Sequence, residues 1–330
     1  MHSETAHTPE PFVLELQDAP ATAAAVHVGS GDLLGGFGEV WKYGGGTQSV
    51  AIAALIVQGK ILAPDLAVIA DTGRERSTTW QYMDAVVAPA LRKIGVELHR
   101  ISAAEYAYGD AKNLYSGSTL LIPAYTDQLG QVGKMAGYCN GKWKQDVVNH
   151  WLRDRGLVPN RLRSWIGFSA DEMPRVFRMM GGKEYREGRI RFPLVELQMK
   201  RRDSIRCAEE MGWPTPPRSA CWMCPNQTDA EWRDLKENHP AEFALAVQTE
   251  REMRERDVNY WLHDSCQPCL GRGYAVIGDT PVLGRPCRTC GGSGKRNPPG
   301  GEAGRAALNM MDACVQAARS SMRLRLRNML

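Results

Sequence analysis

Short apolar runs alternate with polar and glycine-rich segments between about residues 38 and 256. Runs of about four to eight apolar residues, bounded by turn residues, are typical of strands buried in a parallel sheet. Val40 and Trp41 predict the end of a first strand. Four further strands are predicted at residues 66–70, 95–101, 119–122 and 164–168.

Helical patterns separate and follow these strands. The segments that predict helices are residues 50–57, 145–155, 203–211 and 231–256. Alternating strands and helices favour a parallel sheet covered on both faces. The predicted fold class is therefore α/β, with a doubly wound, mostly parallel sheet and helices on both faces. A small zinc-binding hairpin module and a C-terminal helix complete the expected architecture.

Composition changes along the chain predict five regions. They are a flexible N-terminus at 1–25, a nucleotide-binding domain with a cysteine cluster at 26–260, a four-cysteine zinc module at 261–296, a linker at 297–304 and a basic helix at 305–330. The first region is polar and alanine-rich, which is typical of a frayed terminus. The linker is rich in proline and glycine, which interrupt regular structure.

The overall composition narrows the classes of function. Of the 330 residues 43% are hydrophobic, which is ample for a core. No apolar run approaches the ~20 residues of a membrane span, and the N-terminus lacks a signal-peptide pattern. We therefore expect a cytoplasmic protein with no membrane partner. A net charge of +4 does not by itself indicate nucleic acid, but the last eighteen residues carry four arginines and no acid.

Residues 43–49 form a glycine turn that leads directly into a predicted helix. Glycines allow the backbone to approach a ligand closely, and the free N–H groups of the next helical turn then point at it. Such a turn is a phosphate cradle. Its candidate residues are Tyr43, Gly44, Gly45, Gly46, Thr47, Gln48 and Ser49. The spacing fits neither a Walker loop nor a dinucleotide fingerprint.

A second tight turn follows the strand predicted at 66–70 and consists of Asp71, Thr72 and Gly73. Ligands of open α/β sheets bind at the carboxyl ends of the strands. We therefore predict that this turn contributes to the same nucleotide site.

Nine cysteines in a protein of a reducing compartment indicate metal binding more than disulfides. One group is Cys139, Cys207, Cys221 and Cys224, and a second is Cys266, Cys269, Cys287 and Cys290. The remaining Cys314 is interpreted as a small buried residue.

In the first group, Cys221 and Cys224 form a Cys-x-x-Cys turn closed by Pro225. Two thiolates at this spacing chelate a metal centre or form a redox dithiol. Cys139 is a candidate remote partner. It stands at the start of a helix beside Lys142 and Lys144, whose charges would stabilise thiolates and anionic ligands.

The second group consists of two copies of Cys-x-x-Cys-x-Gly-x-Gly with seventeen residues between their inner cysteines. The spacing predicts a four-cysteine Zn²⁺ site and resembles the zinc repeats of DnaJ-type chaperones. A structural clamp on a hairpin near residues 274–281 is the preferred interpretation. A phosphate-gripping module is the alternative, because a basic rim is formed by Arg272, Arg285, Arg288, Lys295 and Arg296.

The two turns resemble those of the adenine nucleotide α-hydrolase (PP-loop) superfamily, which includes ATP pyrophosphatases and phosphoadenylylsulfate (PAPS) reductases. The glycine turn resembles its Ser-Gly-Gly-x-Asp-Ser loop, and Asp71 to Gly73 resembles the Asp-Thr-Gly of the reductase branch. The resemblance implies a HUP-like fold and bound ATP or a related adenine nucleotide. Gly44 replaces the usual Ser and Gln48 the usual Asp, which weakens the expectation of Mg²⁺ and of ATP cleavage.

Residues from about 40 to 255 further resemble a PAPS-reductase-like branch that is often encoded by phages and is related to the sulfur-activating protein of DNA phosphorothioation. The matching segments are 139–144, 166–172, 202–204, 219–225 and 229–232. The resemblance implies a 4Fe-4S cluster on Cys139, Cys221 and Cys224. Ser204 replaces the fourth cysteine, so either Cys207 supplies that ligand or one iron stays open.

The resemblance implies an adenylating enzyme that couples the nucleotide to iron–sulfur-dependent sulfur transfer. The predicted catalytic residues are Lys142 and Lys144, which would neutralise charge, and Asp171, which would line the pocket together with the binding residues Gly167 and Arg175. A nucleic-acid acceptor, a sulfur donor protein and a homodimer are the expected partners. The alternatives are a PAPS or adenylylsulfate reductase, and a non-catalytic phage protein that binds a nucleotide or nucleic acid.

Overall fold

A computed structural model of the chain describes residues 38–126, 133–257, 260–263, 274–277 and 280–286. The predictions for the N-terminal region at 1–25, the four zinc-site cysteines, the linker and the C-terminal basic helix with Cys314 lie outside the described residues. These parts of the sequence analysis stay predictions.

The described residues form short strands and helices. The strands are β1 (Gly38–Lys42), β2 (Leu66–Asp71), β3 (Leu98–Ser102), β4 (Tyr115–Ser116), β5 (Thr119–Leu120), β6 (Ala124–Thr126), β7 (Gly133–Met135), β8 (Leu162–Trp165), β9 (Ile190–Arg191), β10 (Tyr260–Trp261), β11 (Tyr274–Ile277) and β12 (Thr280–Pro286). The α-helices are α1 (Thr47–Val57), α2 (Ser77–Tyr82), α3 (Ala88–Lys93), α4 (Ala103–Tyr106), α5 (Asp146–Asp154), α6 (Met173–Met180), α7 (Lys183–Arg186), α8 (Pro193–Glu196), α9 (Arg201–Glu210), α10 (Asp229–Asn238) and α11 (Pro240–Arg256). Residues Met83–Val87 and Asn140–Gln145 are π-helical, whereas Gly109–Lys112 and Pro159–Arg161 are 3₁₀ turns.

Five strands form the main sheet in the order β3-β2-β1-β8-β9, and every neighbouring pair is parallel. Parallel strands need crossover connections, and here helices supply them. The structure confirms the predicted α/β class, with a parallel sheet covered on both faces.

Successive side chains of each strand point to opposite faces, so the sheet has two cores. Trp41 and Ala67 face a core that also contains α1, α3 and α9, while Val40 and Val68 face a core that contains α5. Nine of the eleven residues of α1 are buried, because the helix lies between the sheet and α9. A continuous apolar run is therefore the expected sequence for α1.

A third core lies outside the main sheet and supports the cysteine segments. It joins Trp143, Met223, Trp232 and Phe243, and Cys139 and Cys221 pack against it. The core therefore draws on the helix that follows Cys139, on the Cys-x-x-Cys turn, and on α10 and α11.

Two details of the predicted elements are wrong. The strand expected at 119–122 is only Thr119–Leu120, and it pairs with Tyr115–Ser116 in a hairpin outside the main sheet. Its apolar residues are buried in the third core, which explains the strand-like pattern. The helix expected at 231–256 is interrupted at His239, because Pro240 has no N–H group and starts a new helix.

The structure confirms the hairpin predicted near residues 274–281, since β11 pairs with β12 in antiparallel orientation. Within the described ranges, every helix is too short or too polar to cross a lipid bilayer.

Candidate functional site

A cavity of about 540 Å³ opens at the carboxyl ends of β1 and β2. Ligands of parallel α/β sheets bind at this edge. The glycine turn lines one side with Gly44, Gly46 and Gln48. The segments next to the cysteines line the other side with Asn140, Lys144 and Ser219. The two features that the sequence singles out therefore meet in one space.

The glycine turn has a shape that requires glycine at Gly45. This residue has a φ of +75°, and a Cβ atom there would lie 2.5 Å from Cγ2 of Thr79. Gly44 donates its N–H to Oγ of Ser49 at 2.8 Å, so the Ser49 hydroxyl stabilises the turn itself. Both Thr47 and Ser49 are buried.

The N-terminus of α1 offers backbone donors to the cavity. Gly46 caps the helix without a side chain, and the first turn contains no acid. The first N–H groups of a helix have no partner inside it and carry a partial positive charge. An anion in the cavity would supply the missing acceptors, as a phosphate does at other helix N-termini.

A carboxylate that the sequence analysis did not select lies beside this turn. Oε2 of Glu172 accepts a hydrogen bond from Nε2 of Gln48 at 3.1 Å, and its Oε1 forms a 2.5 Å ion pair with Arg175. Arg175 also stacks on Phe168, with its guanidinium carbon 4.3 Å from the ring centre. Gly167 and Arg175, predicted as binding residues, both line the cavity.

The neighbouring Asp171, which we predicted as catalytic, does not line the cavity. It is exposed and accepts the N–H of Arg201 at 3.1 Å, at the start of α9. The hydrogen bond from Ser169 lowers the pKa of Asp171. Asp171 therefore caps the start of α9, and the adjacent Glu172 is the carboxylate that lines the cavity.

The predicted second turn also points elsewhere. Oδ1 of Asp71 accepts the N–H of Gly73 at 2.7 Å, and Oδ2 accepts from Nε of Arg100 at 2.8 Å. Thr72 and Gly73 line a second cavity, whereas β2 contributes its preceding apolar residues to the first. The structure therefore does not bring Asp71, Thr72 and Gly73 to the glycine turn.

The two lysines after Cys139 have different surroundings. Lys142 forms an exposed ion pair with Asp146 at 3.1 Å and does not line the cavity. Lys144 lines it and forms a 2.5 Å ion pair with Glu75, whose side chain is only 3% exposed. Burial by itself lowers the pKa of Lys144, but the Glu75 carboxylate outweighs it and raises that pKa. Of these two lysines, Lys144 is therefore the one placed to meet an anionic ligand in the cavity.

Residues 74–76 and 220–222 pair across a short extended contact, which we call the partition. Glu75 and Cys221 form an antiparallel bridge, the N–H of Trp222 donates to the carbonyl of Arg74 at 3.0 Å, and the N–H of Arg76 donates to that of Ala220 at 3.1 Å. Glu75 accepts a hydrogen bond from Oγ of Ser219 at 3.3 Å, and Sγ of Cys221 lies 4.0 Å from its Oε1. Glu75 therefore connects Lys144 to the cysteine turn.

Cys139, Cys221 and Cys224 share one electrostatic neighbourhood. Burial raises the pKa of Cys139, and the Cys224 thiolate raises it further. Burial also raises the pKa of Cys221, with added contributions from Glu75 and the other two cysteines. All three are partly accessible and not paired in disulfides. Three thiols are a donor set that suits iron or zinc.

The three thiols would need to move closer together to share one metal. In the described part of the chain, no three side chains of His, Cys, Asp or Glu stand at coordinating distance. The residues fit a three-cysteine metal centre in type and in neighbourhood.

Cys207 is separated from these three cysteines. It is buried on α9, in the core that also contains α1, and the nearby charges are those of Glu210, Lys60 and Arg206. Lys60 follows the far end of α1, which has eleven residues and is about 16 Å long. The glycine turn lies at the opposite end of that helix. The structure thus speaks against the alternative in which Cys207 is the fourth cluster ligand.

Sequence reasoning missed several cavity residues. They are Lys42, Glu75, Glu172, Arg201, Arg218 and Ser219. Glu75 follows the end of β2 by four residues and Glu172 follows the end of β8 by seven, and a place in the loop after a parallel strand is a signal that could have found them. Ser219 could have been found by its place two residues before Cys221. Lys42 ends β1 directly before the glycine turn, so the same signal could have found it. No local pattern marks Arg201 and Arg218.

No protein-family model and no curated protein sequence matches the chain. Among solved structures, the chain is similar to the U34-tRNA thiolase NcsA from Methanococcus maripaludis, which was determined with its [4Fe-4S] cluster. The sequences are 16% identical, the match covers 70% of this chain and 74% of the thiolase, and the TM-score is 0.35. At these values the similarity assigns no residue of the site.

Proposed function

We propose that the chain binds ATP or a related adenine nucleotide in the first cavity and uses it to drive sulfur transfer at a cluster held by Cys139, Cys221 and Cys224. The observation that carries this proposal is that one cavity is lined both by the glycine turn and by residues adjacent to the cysteines. A reaction between an activated group and a sulfur atom requires the two to meet in one space.

The glycine turn would hold the phosphates. The N–H groups at the start of α1 would donate to phosphate oxygens, as the absence of an acid in its first turn allows. Lys144 would neutralise charge that develops on the phosphates. The apolar end of β2, with Val68, Ile69 and Ala70, would pack against the adenine.

Glu172 gives the site a carboxylate beside Gln48. Mg²⁺ prefers oxygen ligands, and Glu172 and Glu75 are the carboxylates of the described residues that line the cavity. Glu172 forms an ion pair with Arg175, and Glu75 forms one with Lys144. A nucleotide with its own Mg²⁺ would compete with these cations for the carboxylates.

In the proposed reaction an oxygen of the acceptor attacks the α-phosphorus of ATP, and pyrophosphate leaves. A sulfur nucleophile then replaces that oxygen on the acceptor, and AMP leaves with it. When bound, the cluster would hold the sulfur to be delivered. Ser219 and Glu75 line the first cavity next to Cys221, so they would orient the groups that meet there.

Anaerobic purification with quantification of iron, sulfide and zinc tests the cluster. We expect iron and sulfide in the full chain, loss of both in Cys221→Ser, and retention of both in the matched control Cys207→Ser, which lies in the main core. Iron that is lost from Cys207→Ser, with folding intact, would contradict a three-cysteine site. Zinc without an iron–sulfur absorbance would reject the cluster altogether.

Product analysis tests the reaction. AMP and pyrophosphate formed from ATP would support adenylation. Sulfite released from an adenylylsulfate would instead identify a reductase, and the absence of both products would indicate a binding protein.

A further inference from the structure

A second cavity of about 850 Å³ lies against the same cysteine turn. Thr72, Gly73 and Arg74 line it from the turn after β2, and Trp222 and Met223 line it from the Cys-x-x-Cys turn. The first cavity is lined instead by Glu75 and Ser219. The adjacent residues Arg74 and Glu75 therefore line different cavities, and so do Ser219 and Trp222, which stand on the two sides of Cys221 in the sequence.

This division follows from the extended pairing of the partition. Successive side chains of an extended segment point to opposite sides. Glu75 accordingly faces the first cavity, while its neighbour Arg74 faces the second. A molecule in the second cavity would approach the cysteine turn from the side opposite to the nucleotide.

Three cations and two acids line the second cavity. Arg74, Lys112 and Arg256 line it, and no carboxylate of the described residues forms an ion pair with any of them. The two acids in the lining have other partners. Asp110 accepts from the N–H of Gly117 and from Oγ of Ser116. Glu252 accepts from Nε2 of Gln248 at 2.9 Å.

Both guanidinium groups are held in place by aromatic rings and carbonyl groups. Arg74 stacks 4.1 Å from the Trp143 ring centre and donates to the carbonyl of Lys112 at 3.1 Å. Arg256 stacks 4.1 Å from the Tyr115 ring centre and donates to the carbonyl of Gly117 at 2.5 Å. Fixed guanidinium groups lose little conformational entropy when they bind an anion.

Aromatic groups accompany these cations. Tyr115 and Trp222 line the cavity and are half-buried. The Tyr115 hydroxyl is buried and has no hydrogen-bond partner among the described residues. Proteins recognise single-stranded nucleic acid by aromatic faces that stack on bases together with cations that follow the phosphates.

We propose that the second cavity binds a single-stranded segment of nucleic acid, with phosphates at Arg74, Lys112 and Arg256 and a base on Trp222. The bound nucleotides would flank the acceptor base in the strand. Their binding would bring that base next to the cysteine turn. This role in delivery rests on the proposed function, whereas the binding itself does not.

The test measures the affinity of the full chain for fluorescent 12-nucleotide single strands of RNA and of DNA over a range of salt concentrations. The test variant is Lys112→Gln with Arg256→Gln. The matched control is Arg92→Gln with Lys93→Gln, which removes two exposed cations at the end of α3, away from the cavity.

We expect the test variant to lower the affinity at least about tenfold and the slope of log K against log salt by about 1.4, at about 0.7 per lost phosphate contact. The control should match the unaltered chain. A preference for RNA or for DNA would identify the source of the strand. Equal affinity and slope in test and control variants, or tighter binding of duplex than of single strands, would overturn the proposal.

Trp222→Ala provides a second measurement. It should weaken strand binding by about 5-fold to 150-fold, the loss of about 1–3 kcal/mol of stacking, and Trp222→Phe should restore most of it. Iron content and nucleotide binding are measured on the same variants. If the chain binds single-stranded nucleic acid but contains no iron and does not adenylate, the proposed function is wrong and this inference stands. If iron content and adenylation are normal but no single strand binds, this inference is wrong and the proposed function stands.

Discussion

The glycine turn and the partition form two walls of the first cavity, but they are built in opposite ways. The glycine turn is a single segment between β1 and α1, and the hydrogen bond from Gly44 to Ser49 that shapes it lies within that segment. The partition joins residues 74–76 to residues 220–222, and Lys144 braces it from a third segment.

The difference predicts which kind of substitution disrupts each wall. The glycine turn depends on backbone shape, so an added carbon atom is enough to disturb it. The partition depends on hydrogen bonds and an ion pair between distant segments, so a change of charge is the relevant disturbance.

The largest effect is expected for Gly45→Ala. The positive φ costs about 1–2 kcal/mol for a residue with a Cβ atom, and the contact with Thr79 adds about 1–3 kcal/mol of overpacking. We expect a lower free energy of unfolding in urea and a loss of ATP binding. The matched control is Gly59→Ala, where φ is +67° and no atom lies within 4 Å of the new Cβ.

The control should show only the backbone cost and keep its ATP affinity. Equal losses of stability in the two variants would show that the close approach to Thr79 contributes nothing.

A smaller effect is expected for Glu75→Gln. The substitution keeps the size of the side chain but leaves the Lys144 ammonium beside a neutral amide, at a cost of about 1–3 kcal/mol. We expect reduced iron retention in anaerobic preparations, because Glu75 connects Lys144 to the Cys221 turn. The control is Glu172→Gln, which alters the other carboxylate of the cavity and should leave iron unchanged. Full iron retention in Glu75→Gln would show that the partition does not need this charge.

The smallest effect concerns the support behind the partition. Arg76 donates to Asp234 at 2.6 Å, and this hydrogen bond lowers the pKa of Asp234 below its usual 3.8. A carboxylate whose pKa is lowered on folding stabilises the folded chain at pH values above its unfolded-state pKa. That stability is lost as the pH falls through the folded-state pKa. Asp234→Asn should therefore cost about 1 kcal/mol at pH 7, since Asp234 is half exposed.

The difference between Asp234→Asn and the unaltered chain should shrink as the pH falls below the usual aspartate value, as measured by urea unfolding at several pH values. Glu210→Gln is the control, because its ion pair with Lys60 is exposed on both sides. A difference that does not change with pH would contradict the role of the Asp234 charge.

Much of the fold was accessible from the pattern of apolar residues. The runs at 66–70 and 164–168 are close to β2 and β8, and the glycine turn lies between a strand and a helix as predicted. The strand predicted at 119–122 was wrong in length and in place, because burial in the third core produces the same apolar pattern as burial in a sheet.

The site was less accessible. Sequence reasoning placed the glycine turn, Arg175, Gly167 and Lys144 at one cavity, and the structure lines one cavity with them. It did not anticipate that Glu172 faces the cavity while Asp171 caps α9. Adjacent residues are chemically alike here, and only the packing of the turn decides which one points inward.

The sequence by itself determined the features that a few adjacent residues encode. These are the strand, glycine turn and helix at 38–57, the Cys-x-x-Cys turn and the hairpin at 274–286. Backbone preferences and side-chain periodicity act over such short distances.

Only the tertiary structure decided which of these features meet. Gln48 contacts Glu172 across 124 positions of sequence, and Glu75 meets Cys221 across 146. Cys207 has the spacing of a ligand, yet the packing of α9 on α1 keeps it away from the other cysteines. Contacts of this kind depend on how whole elements pack, and no local pattern of residues contains that information.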